Sequence, residues 1–463
     1  MKAALDPAIF GNRQRFSSGR FSLPLESGWN MKGNAILTGS GSKMHVLQLA
    51  PKVCWPLDTG AKLRNYHLAR VLAERARVTL LAFTDQEQSL ANLENSYAQV
   101  VTVTRDRDYT FSKMLRGALG TTPLPVLNYT TNSMKQALER ILSEQDFEIV
   151  QVESIHLMAY LPIIRAARKP PIAVCDWHNI ESELMTRYSE RESNVARRAY
   201  ARKTARLMSK SERRALNEFD AHLAVSNRDA ERLRSINSDA RVFLIENGVD
   251  MAHYSDEQIE AAYATWAAAG AANETKRIVF VGSMDYHANV DGAVSFAREV
   301  WPRVRDRQPE LVFTIVGRDP TPEVRALTTI PGIEVTGTVD DVRPFYREAM
   351  AAIVPLKVGG GSRLKILEAM AAGVPVVSTT LGAEGLEVRH GENILIADTN
   401  EQLIDAISAV VGNEEQRKQL SAAGRALVSS RYDWSRLGAS LFEIYGELKG
   451  ARRSVPPALG GES

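Results

Sequence analysis

Cysteine is nearly absent. Only Cys54 and Cys175 occur in 463 residues, far apart and in no metal-ligand spacing. Neither a disulfide framework nor a cysteine-ligated metal centre follows from them, and such usage fits a reducing cytoplasm. Long apolar runs are also missing. No eighteen consecutive apolar residues occur, so no membrane-spanning helix is expected. The N-terminus lacks the apolar core of a signal sequence, and the expectation is a protein that stays inside the cell. Charge is nearly balanced at +2, which argues against a general polyanion binder, and no nucleic-acid partner is expected. What remains is 44% hydrophobic and 24% charged residues, the composition of a soluble globular chain long enough for two or three domains.

The most informative stretch is 351–379, AAIVPLKVGGGSRLKILEAMAAGVPVVST. Residues 351–356 read as a strand, Gly359, Gly360 and Gly361 as a loop, 362–372 as a helix stopped by Gly373, and 374–379 as a second strand. Three glycines let backbone come close to a ligand, and the helix start offers free N–H groups and a positive dipole end to a phosphate. Ser362 opens that helix, Arg363 adds a bidentate donor fork and Lys365 a point charge. Glu368, further along, is placed to accept hydrogen bonds from two neighbouring hydroxyls. A diphosphate at the loop and a ribose diol at the glutamate describe a nucleoside diphosphate. The plainer alternative is an ordinary glycine-rich connection with Lys365 and Glu368 as an i,i+3 surface pair.

Residues 1–43 show no sustained period and read as a flexible extension; Met31 and Met44 leave open a later start. Strands are expected at 44–49, 78–83, 99–103, 149–152, 172–176 and 221–225, with a helix at 61–74 after Thr59-Gly60. Helical stretches between them suggest a doubly wound parallel sheet. Asp176-Trp177-His178-Asn179 follows a strand end, where such sheets hold ligands, although a lone histidine is more often structural. Residues 191–214 are helical and strongly basic, either a solvated face or a surface for anionic lipid. Beyond an alanine-rich passage at 251–275, strands 277–281, 311–316 and 333–336 end at Gly282, Gly317 and Gly337. Asp340-Asp341-Val342-Arg343 reads as a helix start with an acidic cap. A strand at 393–397, helices at 401–411 and 414–428, a last helix to 448 and a frayed tail complete the chain.

Glu368-Ala369-Met370-Ala371 with Gly373-Val374-Pro375 resembles the second half of the E-x7-E motif of retaining glycosyltransferases of family 4 (group 1). Ile245-Glu246-Asn247-Gly248-Val249-Asp250 resembles that family's exit from its first domain. Two departures stand out. Gly360 replaces the motif's first glutamate, which in the family contacts the donor sugar. The segment 282–289 lacks the family's basic pair, so Arg363 and Lys365 are expected to supply its charge, with Asn289 adding a polar contact.

The resemblance implies an α/β protein of the GT-B fold, two Rossmann-like doubly wound parallel-sheet domains facing a cleft. Residues 44–250 would form the acceptor side and 251–430 the nucleotide-sugar side, with 431–448 crossing back and 449–463 as a tail. The implied reaction moves a sugar from a nucleotide-diphosphate donor to a glycan or lipid-linked acceptor with retention, in surface polysaccharide or glycolipid assembly. No metal or other cofactor is implied. Catalytic roles fall to His178, Arg363 and Lys365. Donor contacts fall to Gly60, Asn289 and Val342, to Gly360, Gly361 and Ser362, and to Glu368 besides the two cations. The basic stretch would bring the enzyme to the inner face of the membrane as a peripheral contact. A nucleotide-sugar epimerase or phosphorylase, or a non-catalytic nucleotide-sugar-binding subunit, are the competing readings.

Overall fold

A computed structural model describes residues 31–33, 43–85, 90–105, 117, 120–270, 275–358 and 363–453. The chain divides into two compact units, Met1–Leu244 together with Leu441–Ser463, and Ile245–Ser440.

The first unit is built on a sheet of β1 (Met31–Gly33), β2 (Met44–Ala50), β3 (Ala76–Thr84), β4 (Gln99–Thr104), β5 (Ile149–Glu153), β6 (Ile172–Trp177), β7 (Ala221–Ala224) and β8 (Val242–Leu244). Their spatial order is β1-β4-β3-β2-β5-β6-β7-β8. Every neighbouring pair runs parallel except β1 with β4. Sequence order reverses between β2 and β5, the switch point at which such sheets bind ligands beyond their carboxyl ends. β5 is buried along its whole length, as a central strand covered on both faces must be. Leu47, Leu49, Val150, Val152, Ala173 and Cys175 share one apolar core with Leu138 and Ile141 of the helix Asn132–Glu144.

Three details differ from the reading of the sequence. Within the expected extension, Met31–Gly33 pairs antiparallel with the edge strand β4, Met31 opposite Val101. The three-residue strand β8 has too short a pattern to be read. The basic stretch lies in one helix, Val195–Glu218, except for Arg191, which ends the preceding helix Glu181–Arg191; Asn194 caps the second by accepting from the N–H groups of Ala196 and Arg197.

The second unit carries β9 (Arg277–Val281), β10 (Val312–Val316), β11 (Ile333–Gly337), β12 (Ala349–Val354), β13 (Val376–Ser378) and β14 (Leu395–Ile396). All its pairings are parallel, in the order β11-β10-β9-β12-β13-β14. The order reverses between β9 and β12. Helix Leu364–Ala371 buries Leu364, Ile366, Leu367, Ala369 and Met370 and ends where Gly373 adopts φ +73°, a left-handed turn that suits glycine. The unit's first and last segments are tied together. Val249 pairs with Asp433, and Arg431 grips the Glu246 carboxylate at 3.0 Å.

At the ends of β9 and β10, beside the switch point, the backbones of Gly282 and Gly317 nearly touch. A methyl on Gly317 would lie 1.7 Å from the Gly282 carbonyl oxygen. Gly317→Ala is therefore expected to lower stability by about 2 kcal/mol through a forced backbone shift. Denaturant unfolding measures this, and an unchanged midpoint would contradict the close approach.

Candidate functional site

In the second unit the chemistry-bearing residues gather at the ends of β9 and β12. Lys365, one residue into its helix, donates from Nζ to Asn289 Oδ1 at 2.5 Å and lies 4.9 Å from the Phe280 ring centroid. Asn289 is fixed in turn by donating to the Ser283 carbonyl at 2.9 Å. Gly282 makes room for both, since a Cβ there would lie 2.8 Å from Asn289 Nδ2 and 3.3 Å from Lys365 Nζ. Burial, then the nearby Arg363 charge, pushes the Lys365 pKa down to about 7, against the pull of Glu368. Burial raises Glu368 to about 7, opposed by Lys365. No ion pair joins the two, so they are not the surface pair of the plainer reading. Among the described residues the Glu368 carboxylate has no hydrogen-bond partner, and neither oxygen is a sealed, unpaired atom. It is a half-buried acceptor left open.

The remaining donor-side candidates fall differently. Gly360, Gly361 and Ser362 lie outside the described residues. Arg363 is buried and turned to Glu384, with Nε 3.2 Å from its carbonyl oxygen and Nη2 3.3 Å from its carboxylate. Val342, rather than an aspartate, is the N-cap of the short helix Arg343–Arg347, and no side chain caps it. The expected acidic cap fails because Asp341 folds onto its neighbour, accepting from the Arg343 backbone N–H at 2.9 Å and pairing with its guanidinium at 2.6 Å. Tyr254 and Tyr346 are buried nearby, and the Glu368 charge, after burial itself, helps raise both phenols well above their usual range.

In the first unit Gly60 opens the helix Gly60–Ala73, which Thr59 caps by accepting from the Lys62 N–H at 3.4 Å. His178 stands just beyond β6. Its Nε2 is 2.9 Å from Glu153 Oε2 and 4.0 Å from Asp176 Oδ2. Both carboxylates are fully buried. Arg64 holds Asp176 with two bonds, Nε–Oδ2 at 2.8 Å and Nη2–Oδ1 at 3.0 Å. Gln48 and Gln151 each donate to Glu153 Oε1 at 2.6 Å. Burial opposes a charge on His178, but the Glu153 hydrogen bond and the Asp176 charge win and raise its pKa. Glu153 is itself raised, by burial first and then by Asp176.

The surroundings hold this cluster firmly. Ser154, immediately after Glu153, adopts φ +88°, unusual for a non-glycine residue, and its N–H donates to the Asp176 carbonyl at 3.0 Å. Downstream of His178, the Ser182 N–H donates to the buried Glu212 at 2.8 Å, fixing the start of the next helix. The Glu181 carboxylate lies 3.7 Å from His156, and Glu183 pairs with Arg228 and Arg232, so these two acids are structural. The ligand atoms of Glu153, Asp176 and His178 lie within 4.8 Å of one another, a spacing a divalent ion can bridge. Their oxygens, however, already face a guanidinium and amide donors. Their chemistry is therefore that of a hydrogen-bonded cage around two carboxylates.

Apart from Asp176 and His178, the sequence did not mark this cage. Gln48, Gln151 and Glu153 are polar residues inside otherwise apolar strands, and that interruption is the signal that points to them.

Comparison with known proteins places these units. Residues 59–253 match the sequence family described as Glycosyltransferase Family 4, and residues 275–413 match Glycosyl transferases group 1. A phosphatidyl-myo-inositol mannosyltransferase of Mycobacterium leprae is 30% identical over 177 residues, 37% of this chain and 46% of that protein. The chain spans about half the length of the curated relatives it matches. Among solved structures, the sucrose-phosphate synthase of Thermosynechococcus elongatus superposes with a TM-score of 0.65 at 16% identity, covering 88% of this chain and 100% of that one. HepE of Anabaena, solved with UDP and glucose, gives 0.59 at 16% identity, covering 86% and 99%.

Proposed function

The chain belongs to the group 1, family 4 glycosyltransferases and has the GT-B fold, and from that premise we propose that it transfers a sugar from a nucleoside-diphosphate donor, with retention, to a glycan or lipid-linked acceptor. The carrying observation is the open Glu368 carboxylate three residues from a desolvated Lys365 at the β9–β12 switch point. Glu368 takes the ribose diol, while Lys365 takes the diphosphate with Asn289 beside it. Arg363 contributes charge from its seat on Glu384, and the backbone near Val342 meets the nucleobase. Charge building on the leaving diphosphate is what the chemistry must stabilise, and fixed cations at a helix start supply that. His178 orients a hydroxyl of the reacting sugar, and Gly60 lets backbone approach the donor. That HepE was solved with UDP and glucose supports a nucleotide-sugar donor.

A calorimetric panel of UDP, GDP and ADP with their sugar derivatives tests this. Selective binding of one nucleotide supports the reading, and no binding to any removes its basis. Turnover of the donor without acceptor would identify an epimerase instead.

We assign the enzyme's surface contact to the helix Val195–Glu218. Its Arg202, Arg206, Lys210 and Arg213 are exposed along one face, beside Val195 at 72% exposure. Each such cation near an anionic leaflet contributes about 1 kcal/mol. Replacing Arg202 and Arg206 by alanine is expected to weaken binding to phosphatidylserine vesicles about 30-fold. Flotation at low salt reads it, and equal flotation of both proteins would refute the assignment. The acceptor side fits surface polysaccharide or glycolipid assembly, with the enzyme working from the cytoplasmic face.

A further inference from the structure

Glu153 is fully buried and faces only donors. Oε1 accepts from Gln48 and Gln151, each at 2.6 Å. Oε2 accepts from His178 Nε2 at 2.9 Å and, with the Asn65 amide turned to satisfy its neighbours, from Asn65 Nδ2 at 3.0 Å. A carboxylate has about four lone-pair sites, and all are taken. A protonated carboxyl would have to give its hydrogen to one of these four groups, each of which is turned as a donor.

Two hydroxyls favour this orientation of the glutamines. The Tyr97 hydroxyl donates to Gln48 Oε1 at 2.6 Å, and the Tyr445 hydroxyl donates to Gln151 Oε1. Both amide oxygens are thereby committed away from Glu153, and both NH2 groups toward it. Since Glu153 can only accept, the hydrogen between it and His178 belongs to the imidazole Nε2. In the neutral ring that leaves Nδ1 as the acceptor. Nδ1 has no hydrogen bond among the described residues and is not a sealed, unpaired atom.

We propose that Glu153 is a positioning residue that locks His178 in the Nε2–H tautomer, so that Nδ1 is the atom presented to a substrate hydroxyl. Tyr97 and Tyr445 are the outer ties that keep Gln48 and Gln151 turned as donors. Tyr445 lies in the helix Trp434–Arg453, 294 residues from Gln151, so the last described helix takes part in aiming a side chain at the end of β6. The proposal rests on His178 meeting substrate, but the tautomer is measurable without any substrate.

The test is long-range 1H–15N NMR of the full chain labelled at histidine nitrogens, with the His178 signals identified by their loss in His178→Gln. The wild type is expected to show the Nε2–H pattern. In Glu153→Gln, whose amide can turn a donor toward the ring, the Nδ1–H form should appear. Tyr445→Phe, the milder change should Glu153→Gln not fold, should give a mixture of the two. An Nδ1–H ring in the wild type, or an unchanged Nε2–H ring in both variants, overturns the proposal. The substrate-facing role is tested separately: it fails if His178→Gln transfers sugar normally, whatever tautomer the wild type shows.

Discussion

Glu368→Ala is expected to weaken binding of a nucleoside diphosphate about 100-fold, since the ribose diol loses a charged acceptor and such a contact contributes about 1.5–3 kcal/mol. The helix around it is locked by its buried neighbours Ile366, Leu367, Ala369 and Met370, so no other acceptor swings into place. Calorimetry with 2′-deoxy nucleotides isolates the contact. The deoxy compound should bind the wild type more weakly than the ribonucleotide, and the two should bind the variant alike. A variant that still separates them would show that the diol is held elsewhere. The pH dependence has a definite sign. Burial raises this carboxyl to about 7, and only its ionised form accepts from both hydroxyls. Donor binding therefore releases a proton below that pH. Affinity should fall as pH drops through about 7, by up to tenfold per unit, and the variant should lose this limb.

How much of this was legible beforehand depends on whether a signal is local. Strands β9 and β10 were readable because each is a short, mainly apolar run closed by glycine, and the close approach of Gly282 and Gly317 gives that punctuation its cause; β11 was readable from Ile333 and Val335 alternating with polar residues before Gly337. Lys365, Glu368 and Asn289 were singled out for a similar reason, two of them on one helix and the third in the first turn of the helix that follows β9. The cage beneath His178 is different. Gln48, Arg64, Tyr97, Gln151 and Tyr445 come from five separate stretches of the chain, and only the tertiary fold brings them together. Gln48 and Gln151 interrupt apolar strands, but no single window shows that these residues share a partner. The break between Arg191 and Val195 was missed because the basic residues resume beyond it, while the deciding signal was the single cap Asn194. β1 joins an edge by backbone pairing alone, which leaves little trace in a three-residue sequence.

Lys365→Met should carry the largest effect, a loss of donor affinity of about 1000-fold, because a unit charge about 4 Å from a phosphate in an effective dielectric near 20 interacts by about 4 kcal/mol. The same change should leave the free protein more stable. In the wild type the ammonium is stripped of water and receives a neutral amide oxygen and a ring face in return, so its pKa falls from 10.5 to about 7. A lysine with a depressed folded-state pKa binds fewer protons in the native than in the unfolded chain between those values. Its cost is therefore full below about 7 and is relieved as pH rises toward 10.5. Methionine is of similar length and carries no charge; it removes that cost and should raise stability at neutral pH by about 1 kcal/mol. The rise of wild-type stability above neutral pH should flatten in the variant. Glu368, losing its cationic neighbour, answers by staying protonated rather than by sitting as a bare buried charge. Thermal unfolding with and without nucleotide reads both consequences together. The variant should melt higher than the wild type alone, and lower when the selected nucleotide is saturating for the wild type. If Lys365→Met were simply less stable and bound nucleotide normally, the lysine would be a structural pillar and the anion site would lie elsewhere. The expected crossing of the two melting curves has one physical meaning: a cation is held partly desolvated in the empty protein because the phosphate that compensates it arrives with the substrate.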